Sequence, residues 1–311
     1  MGLSRNTLLW ASRNKWLKQR IPKMKFVQNA VKQFLPGETE HDAIAAARNL
    51  LKQNIATTFT YLGENISSLK EAEDNKEKYI NLLEKINKER LDTEISLKLT
   101  QFGFDQSFDK TFSNIKVIIE RAKNFRNSVF IDIEDSSYVN KTIEIYEKIK
   151  GHHENVGLCL QAYLYRTKDD IKNMIDIHPW IRLVKGAYKE PESAAFKKLK
   201  DVNKNYMLIS KYLLNEISEK GIRVAFATHD LNIQEHIKNE AKKINLKNDK
   251  LEFQMLYGIK TTEQYRLALE GYKVRTLISY GEHWYPWYMR RLAERPANVG
   301  FVLKNLFNQS I

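Results

Sequence analysis

From residue 40 onward the chain alternates between two hydrophobic periods. Short runs dense in β-branched and aromatic residues recur, each closed by glycine or polar residues. They are TTFTYLG (57–63), ISLKLT (95–100), SVFIDIED (128–135), VGLCLQAY (156–163), IRLVKGAY (181–188), RVAFATHD (223–230), LEFQMLYG (251–258) and VRTLISYG (274–281). These runs predict eight strands. Between them lie stretches with a helical stripe. HDAIAAARNLLKQNI (41–55) places Ile44, Ala47, Leu50 and Leu51 on one face, with Asp42 as its expected cap. The charged stretch 67–90 carries Tyr79, Leu82, Leu83 and Ile86 on one stripe, and Ser68 and Glu71 have capping-box spacing. SFDKTFSNIKVIIERAKNF (107–125), SYVNKTIEIYEKIK (137–150) and the stretch 283–308 read as further helices. Eight strands separated by helices predict a parallel sheet, and the count favours a closed (β/α)8 barrel over an open doubly wound one.

Parallel barrel strands are buried on both faces and should be nearly all apolar. Here most carry an ionic or amide group near the C-terminal end: Lys98, Asp132 with Glu134, Gln161, Arg182 with Lys185, Thr228 with His229 and Asp230, and Gln254. Strand C-termini form the barrel mouth, where active sites of this fold lie. Any one such residue fits an ion pair between neighbouring strands. Six strands with the same feature point to a shared polar site, because several unpaired ions in one core would be very costly. A second cluster, WYPWYMRRLAERPAN (284–298), sets Arg290 and Arg291 at helical spacing from Glu294 among Trp284, Tyr285, Trp287 and Tyr288. Such spacing commonly means a surface ion pair, yet two adjacent guanidinium groups also make a carboxylate or phosphate site.

Charge divides the chain. With 51 Lys plus Arg against 38 Asp plus Glu the formal net charge is +13, and eight of the bases fall in residues 1–36, which hold no acid. That segment interleaves them with Trp10, Trp16, Leu17, Ile21, Val27, Val31 and Leu35. It reads as a basic helical arm. An anionic membrane surface, a mitochondrial presequence, nucleic acid and simple packing on the main domain all fit its composition. A single cysteine, Cys159, excludes an intrachain disulfide framework and a Cys-rich zinc module. The histidines show no metal-ligand spacing, and no Gly-x-Gly-x-x-Gly or Walker glycine loop is present. No apolar run is long enough to span a bilayer. The expected organisation is an arm over 1–56 and a barrel over 57–311.

FIDIED, LQAYLYRT, IRLVKGAYKEP, FATHD, EFQMLYGI and YGEHWYPWYMRRLAERPANVGFVL, in this order, resemble the monofunctional flavin-dependent proline dehydrogenases over about residues 35–308. The resemblance implies a distorted (βα)8 barrel with an N-terminal helical arm, binding FAD non-covalently. It implies oxidation of L-proline to Δ1-pyrroline-5-carboxylate by hydride transfer from substrate Cδ to flavin N5, with electrons passed to a membrane quinone. By the same resemblance, Arg290, Arg291 and Lys98 hold the substrate carboxylate, Glu294 keeps the arginines in register, and Leu256 walls the proline ring. Asp132 organises the pocket, and Arg182 stands beside flavin N5. Gln161 bonds the pyrimidine edge, while Ile133, Val184, Lys185, Gly186, Ala187, Thr228 and His229 contact the cofactor.

Two positions depart from the family pattern. Leu277 stands where the family often places a tyrosine over the substrate, which predicts a pocket more tolerant of 4-hydroxyproline; Asp230 stands where asparagine is associated with this strand end. Other barrels remain as alternatives: a different FAD oxidoreductase acting on hydroxyproline or a related cyclic amino acid, a folate reductase, or a Schiff-base aldolase using Lys98 or Lys185. A non-enzymatic basic membrane- or nucleic-acid-binding protein explains the arm but not the polar strand ends. The preferred reading places the enzyme in the cytoplasm, peripherally on the inner membrane through its arm, with mitochondria not excluded and no nucleic-acid partner. At 311 residues it is expected to hand its product to a separate pyrroline-5-carboxylate (glutamate-semialdehyde) dehydrogenase.

Overall fold

The structure is a computed structural model that describes residues 10, 14–24, 27–28, 31–63, 66 and 68–294. The side chains of residues 15, 18, 19, 23, 290, 291, 293 and 294 fall outside that description. All eight expected strands form: β1 (Ala56–Tyr61), β2 (Thr93–Lys98), β3 (Val129–Asp132), β4 (Val156–Gln161), β5 (Trp180–Val184), β6 (Arg223–Ala227), β7 (Glu252–Leu256) and β8 (Lys273–Tyr280). Each pairs in parallel with the next, and β8 pairs with β1, so the sheet closes into a barrel.

The strands end earlier than their apolar runs. β3 stops at Asp132 and β6 at Ala227, because the residues beyond them bond outside the ladder. Glu134 accepts from the Thr100 backbone and hydroxyl at 3.3 and 3.0 Å, and the Thr228 carbonyl accepts from Gln234 Nε2 at 2.8 Å. These tails are the loops of the mouth.

The described helices are α1 (Lys15–Arg20), α2 (Glu40–Leu51), α3 (Leu69–Lys88), α4 (Phe108–Asn124), α5 (Val139–Lys150), α6 (Thr167–Met174), α7 (Leu199–Lys220), α8 (Leu231–Lys243), α9 (Thr261–Leu269) and α10 (Trp284–Glu294). The expected cap of α2 needs correcting. Thr39 is the cap, its hydroxyl accepting from Asp42 N at 3.2 Å, while Asp42 reaches back to Thr39 N at 3.1 Å. Together they satisfy two backbone donors that the first turn leaves open. Ser68 caps α3 as its spacing with Glu71 predicts. The expected continuation of the last helix beyond residue 294 lies outside the described residues.

Two hydrophobic cores hold these elements. The larger joins the outward faces of the strands, such as Ile95, Leu97, Ile131, Leu158, Leu183 and Phe226, to the apolar stripes of the surrounding helices. The smaller joins Val27, Val31 and Leu35 of the arm, at four-residue spacing, to Leu62 and to the aromatic face of α10. Trp284 Nε1 donates to Glu38 Oε1 at 2.7 Å, and the Phe34 and Tyr288 rings lie 6.2 Å apart. The arm also touches the loop after β7. Gly258 has φ +71°, and a Cβ there would overlap the Gln33 carbonyl. Thus the arm packs between α10 and the end of β7.

The inward faces of the strands are layered by register. Ser96, Phe130, Gly157, Trp180 and Arg223 align across five strands, and one step towards the mouth Lys98, Asp132, Cys159, Arg182 and Ala225 align. At the opposite end Arg223, Arg275, Glu94 and Glu252 form a balanced ionic layer. Such a network away from the mouth belongs to stability rather than chemistry.

Candidate active site

The mouth-side layer brings the polar strand ends together. Asp132 at the end of β3 lies between two cations: its Oδ1 is 2.9 Å from Arg182 Nη1, and its Oδ2 is 3.5 Å from Lys98 Nζ. The register Lys98–Asp132–Cys159–Arg182 places these groups on adjacent strands at one height. Arg182 is 2% exposed, and the same Nη1 also donates to Ser96 Oγ at 2.9 Å. Its Nε and Nη2 are buried and have no hydrogen-bond partner among the described residues. Cys159 is buried beside Asp132; burial, with the neighbouring carboxylate, pushes its thiol well above the ordinary range, so it stays protonated.

Gln161 is fixed by its own strand neighbour. Its Nε2 donates to the carbonyls of Ile133 and Glu134 at 3.1 and 2.9 Å, which leaves Oε1 buried without a partner among the described residues. Ile133 is itself a core residue, so only its backbone reaches this site. Val184 ends β5 as the register partner of Gln161. Gly186 has φ +111°, and a Cβ there would come within 2.5 Å of the Tyr163 ring. Ala187 follows it, half-buried in the same loop.

Three expected cofactor contacts have partners within the protein. Lys185 Nζ lies 2.7 Å from both Asp230 Oδ2 and Asn203 Oδ1. Burial opposes the Asp230 charge, but the Lys185 bond outweighs it and holds that carboxyl below its ordinary value. Asp230 also caps α8, accepting from Asn232 N at 3.2 Å, which accounts for a carboxylate at this strand end. Thr228 Oγ1 accepts from Asp230 N at 3.2 Å. His229 Nε2 accepts from Leu256 N at 3.0 Å, which ties β6 to β7 and puts the imidazole proton on Nδ1.

Leu256 and Leu277 are register partners on β7 and β8, both half-buried. Leu277 shares the inward face of Arg275, two residues before it. Arg290, Arg291 and Glu294 belong to α10, and their side chains lie outside those described.

The donor set suits a flat heteroaromatic group with its own donors and acceptors. Gln161 offers a buried acceptor and Arg182 two buried donors, and unpaired buried polar atoms are costly without a ligand to receive them. β6 adds bulk sparingly, since Ala225 and Ala227 share the inward face of Arg223. No cluster of metal-ligating side chains occurs among the described residues.

The proline dehydrogenase family model matches residues 43–304. This chain belongs to the proline dehydrogenase family. Proline dehydrogenase 2 of Bacillus subtilis subsp. natto is 39% identical over 278 residues, covering 89% of this chain and 90% of that one. Proline dehydrogenase 1 of the same organism is 37% identical over 305 residues, covering 98% and 99%. The Deinococcus radiodurans proline dehydrogenase is 35% identical, covering 89% and 90%. Among solved structures, proline utilization A from Bdellovibrio bacteriovorus, inactivated by N-propargylglycine, superposes with a TM-score of 0.81 at 25% identity. That match covers 92% of this chain and 34% of the other, so the barrel here corresponds to one part of a longer protein. The enzyme is therefore an oxidoreductase of the proline dehydrogenase type, and the barrel expected from strand counting is the family's fold.

Reading the polar strand ends alone missed Ser96 and Phe130. Both stand two residues before Lys98 and Asp132, on the same inward face, so strand alternation was the available signal.

Proposed function

We propose that this enzyme oxidises L-proline to Δ1-pyrroline-5-carboxylate, using FAD held non-covalently at the barrel mouth and a membrane quinone as the final acceptor. The observation that carries the reading is the row Lys98–Asp132–Arg182, with open donors on Arg182 and an open acceptor on Gln161 of the neighbouring strand. Bound FAD would supply the two-electron oxidant that takes hydride from the proline ring.

The chain's own groups do the rest. Lys98, with Arg290 and Arg291 of α10, provides cations for the substrate carboxylate, and Glu294 lies one helical turn from Arg290. Leu256 and Leu277 provide an apolar wall for the ring. Asp132 holds Arg182 and Lys98 in fixed relation, so positive charge stands ready where the reduced cofactor gains negative charge. Gln161, Val184, Gly186 and Ala187 form the cofactor wall, with Ile133, Lys185, Thr228 and His229 around it. The paired ammonium groups of Lys98 and Lys185 weigh against Schiff-base chemistry, which needs a free amine.

The arm supplies a membrane reading. Trp10 and Trp16 are exposed, Arg20 lies 5.0 Å from the Trp16 ring, and the segment is basic throughout. No helix among the described residues is long and apolar enough to cross a membrane. Peripheral binding to an anionic inner-membrane surface would bring the enzyme to its quinone. The product would pass to a separate pyrroline-5-carboxylate dehydrogenase.

Purification tests the core of this proposal. A yellow protein absorbing at about 450 nm that reduces an artificial dye only with proline is expected. Colourless protein, or a flavoprotein indifferent to proline, would overturn it. Sedimentation with anionic but not neutral liposomes, lost on replacing Trp10 and Trp16 by serine, tests the membrane part.

A further inference from the structure

We infer that Phe130 is a positioning residue for the oxidation: its ring sets the plane of the Arg182 guanidinium, and Gly157 is the vacancy that ring requires. Arg182 is anchored to Asp132 and Ser96 through Nη1 alone. Both bonds sit at one corner of the planar guanidinium, so the group can still tilt about that corner, and Nε and Nη2 on its far side have no hydrogen-bond partner among the described residues to steady it. The stop is Phe130, whose ring centroid lies 4.4 Å from Arg182 Cζ. A buried guanidinium at that distance is held by the ring quadrupole and by stacking, which orient the plane as well as the charge.

The layering shows how the sequence makes this ring available. Ser96, Phe130 and Gly157 are consecutive register partners in the layer beneath Arg182. A Cβ on Gly157 would lie 2.7 Å from Phe130 Cδ1 and Cζ, so the ring occupies the space of the missing side chain. Gly157 sits at an inward position of a buried strand, where glycine otherwise weakens packing. Beyond the ring, Arg223 Cζ lies 5.4 Å from its centroid and is itself locked to Glu252 and Glu94. Phe130 therefore rests on the rigid ionic layer and passes that rigidity up to Arg182.

This inference rests on the reading that Arg182 serves the flavin. The test uses purified holoenzyme of Phe130→Leu and Phe130→Met, which keep apolar bulk but lose the ring. FAD is expected to remain bound. Its two-electron potential, measured by anaerobic dye equilibration, should fall by about 30 mV, the equivalent of a tenfold change in the reduction equilibrium. kcat should fall about tenfold, with KM for proline changed less than about twofold. In the Arg182→Met background, adding Phe130→Leu should shift the potential no further. Equal shifts in both backgrounds would mean a general packing effect, and an unmoved potential in Phe130→Leu would likewise overturn the inference. If Arg182→Met alone leaves the potential unchanged, it is the Arg182–flavin reading that fails. If both Phe130 variants fail to fold, Gly157→Ala, which displaces the ring, must shift the potential in the same direction for the inference to stand.

Discussion

Arg223 forks onto Glu252 across neighbouring strands, Nε and Nη2 reaching one carboxylate oxygen at 3.0 and 2.8 Å and Nη2 the other at 3.0 Å. Burial alone would raise the Glu252 pKa, but Arg223 and Arg275 overcome it and bring the carboxyl down to about 2, from an ordinary 4.5. A depressed carboxylate pKa adds stability that is complete above pH 4.5 and disappears as the pH falls through about 2. The barrel should therefore lose stability steeply below pH 4.5, read as the urea midpoint against pH. Glu252→Gln should cost about 3–5 kcal/mol at neutral pH, because it leaves two buried guanidinium groups short of a partner, and should flatten that acid limb. Wild-type stability independent of pH over this range would contradict the assignment.

Asp132 is the only carboxylate within 4 Å of Arg182 among the described residues. Replacing it by Asn keeps the shape and removes the charge that holds Arg182 and Lys98 together. kcat/KM for proline should drop about 10- to 100-fold, as expected for loss of a charge-assisted bond. Steady-state kinetics with a dye acceptor measure this, and the absorbance of the same preparation at about 450 nm shows whether the proposed flavin is still present.

The arm and α10 share the smaller core. Removing residues 1–36 should therefore do more than weaken the proposed membrane binding. Val31→Asp, which sets a charge in the core that holds Trp284 and Tyr288, should raise KM for proline several-fold by loosening the helix that carries Arg290 and Arg291, at little change in content of the proposed FAD. Gly258→Ala adds left-handed strain of about 1–2 kcal/mol and a clash with Gln33, and should act in the same direction. A variant with unchanged KM but a lowered Tm would assign this contact to stability alone.

Leu277 faces inward beside Leu256 and offers no hydroxyl. The preference for proline over trans-4-hydroxyproline in kcat/KM should accordingly stay below about a thousandfold, and Leu277→Tyr should increase it. A wild-type preference above that level would remove Leu277 as a determinant.

Much of the candidate site could be read in the sequence. Lys98, Asp132, Gln161 and Arg182 stand out because charged or amide groups on otherwise apolar strands must meet one another, water or a ligand. The eight strands and their helices also follow from local period, since alternation and helical stripes are properties of neighbouring residues. Strand ends were less legible. RVAFATHD is apolar enough to continue, yet β6 stops at Ala227 because Thr228 and His229 bond to α8 and β7 instead of extending the ladder.

What the sequence by itself determined is the set of elements, the barrel class and the residues available at its mouth. The tertiary structure decided which of those residues share a layer. That Phe130 lies under Arg182 depends on the register of β3, β4 and β5, which interstrand bonds and barrel closure set together. That Val31 and Trp284 share a core depends on bringing together segments about 250 residues apart. Periodicity is local and survives in one dimension; register and closure are collective, and exist only once every strand has found its neighbour.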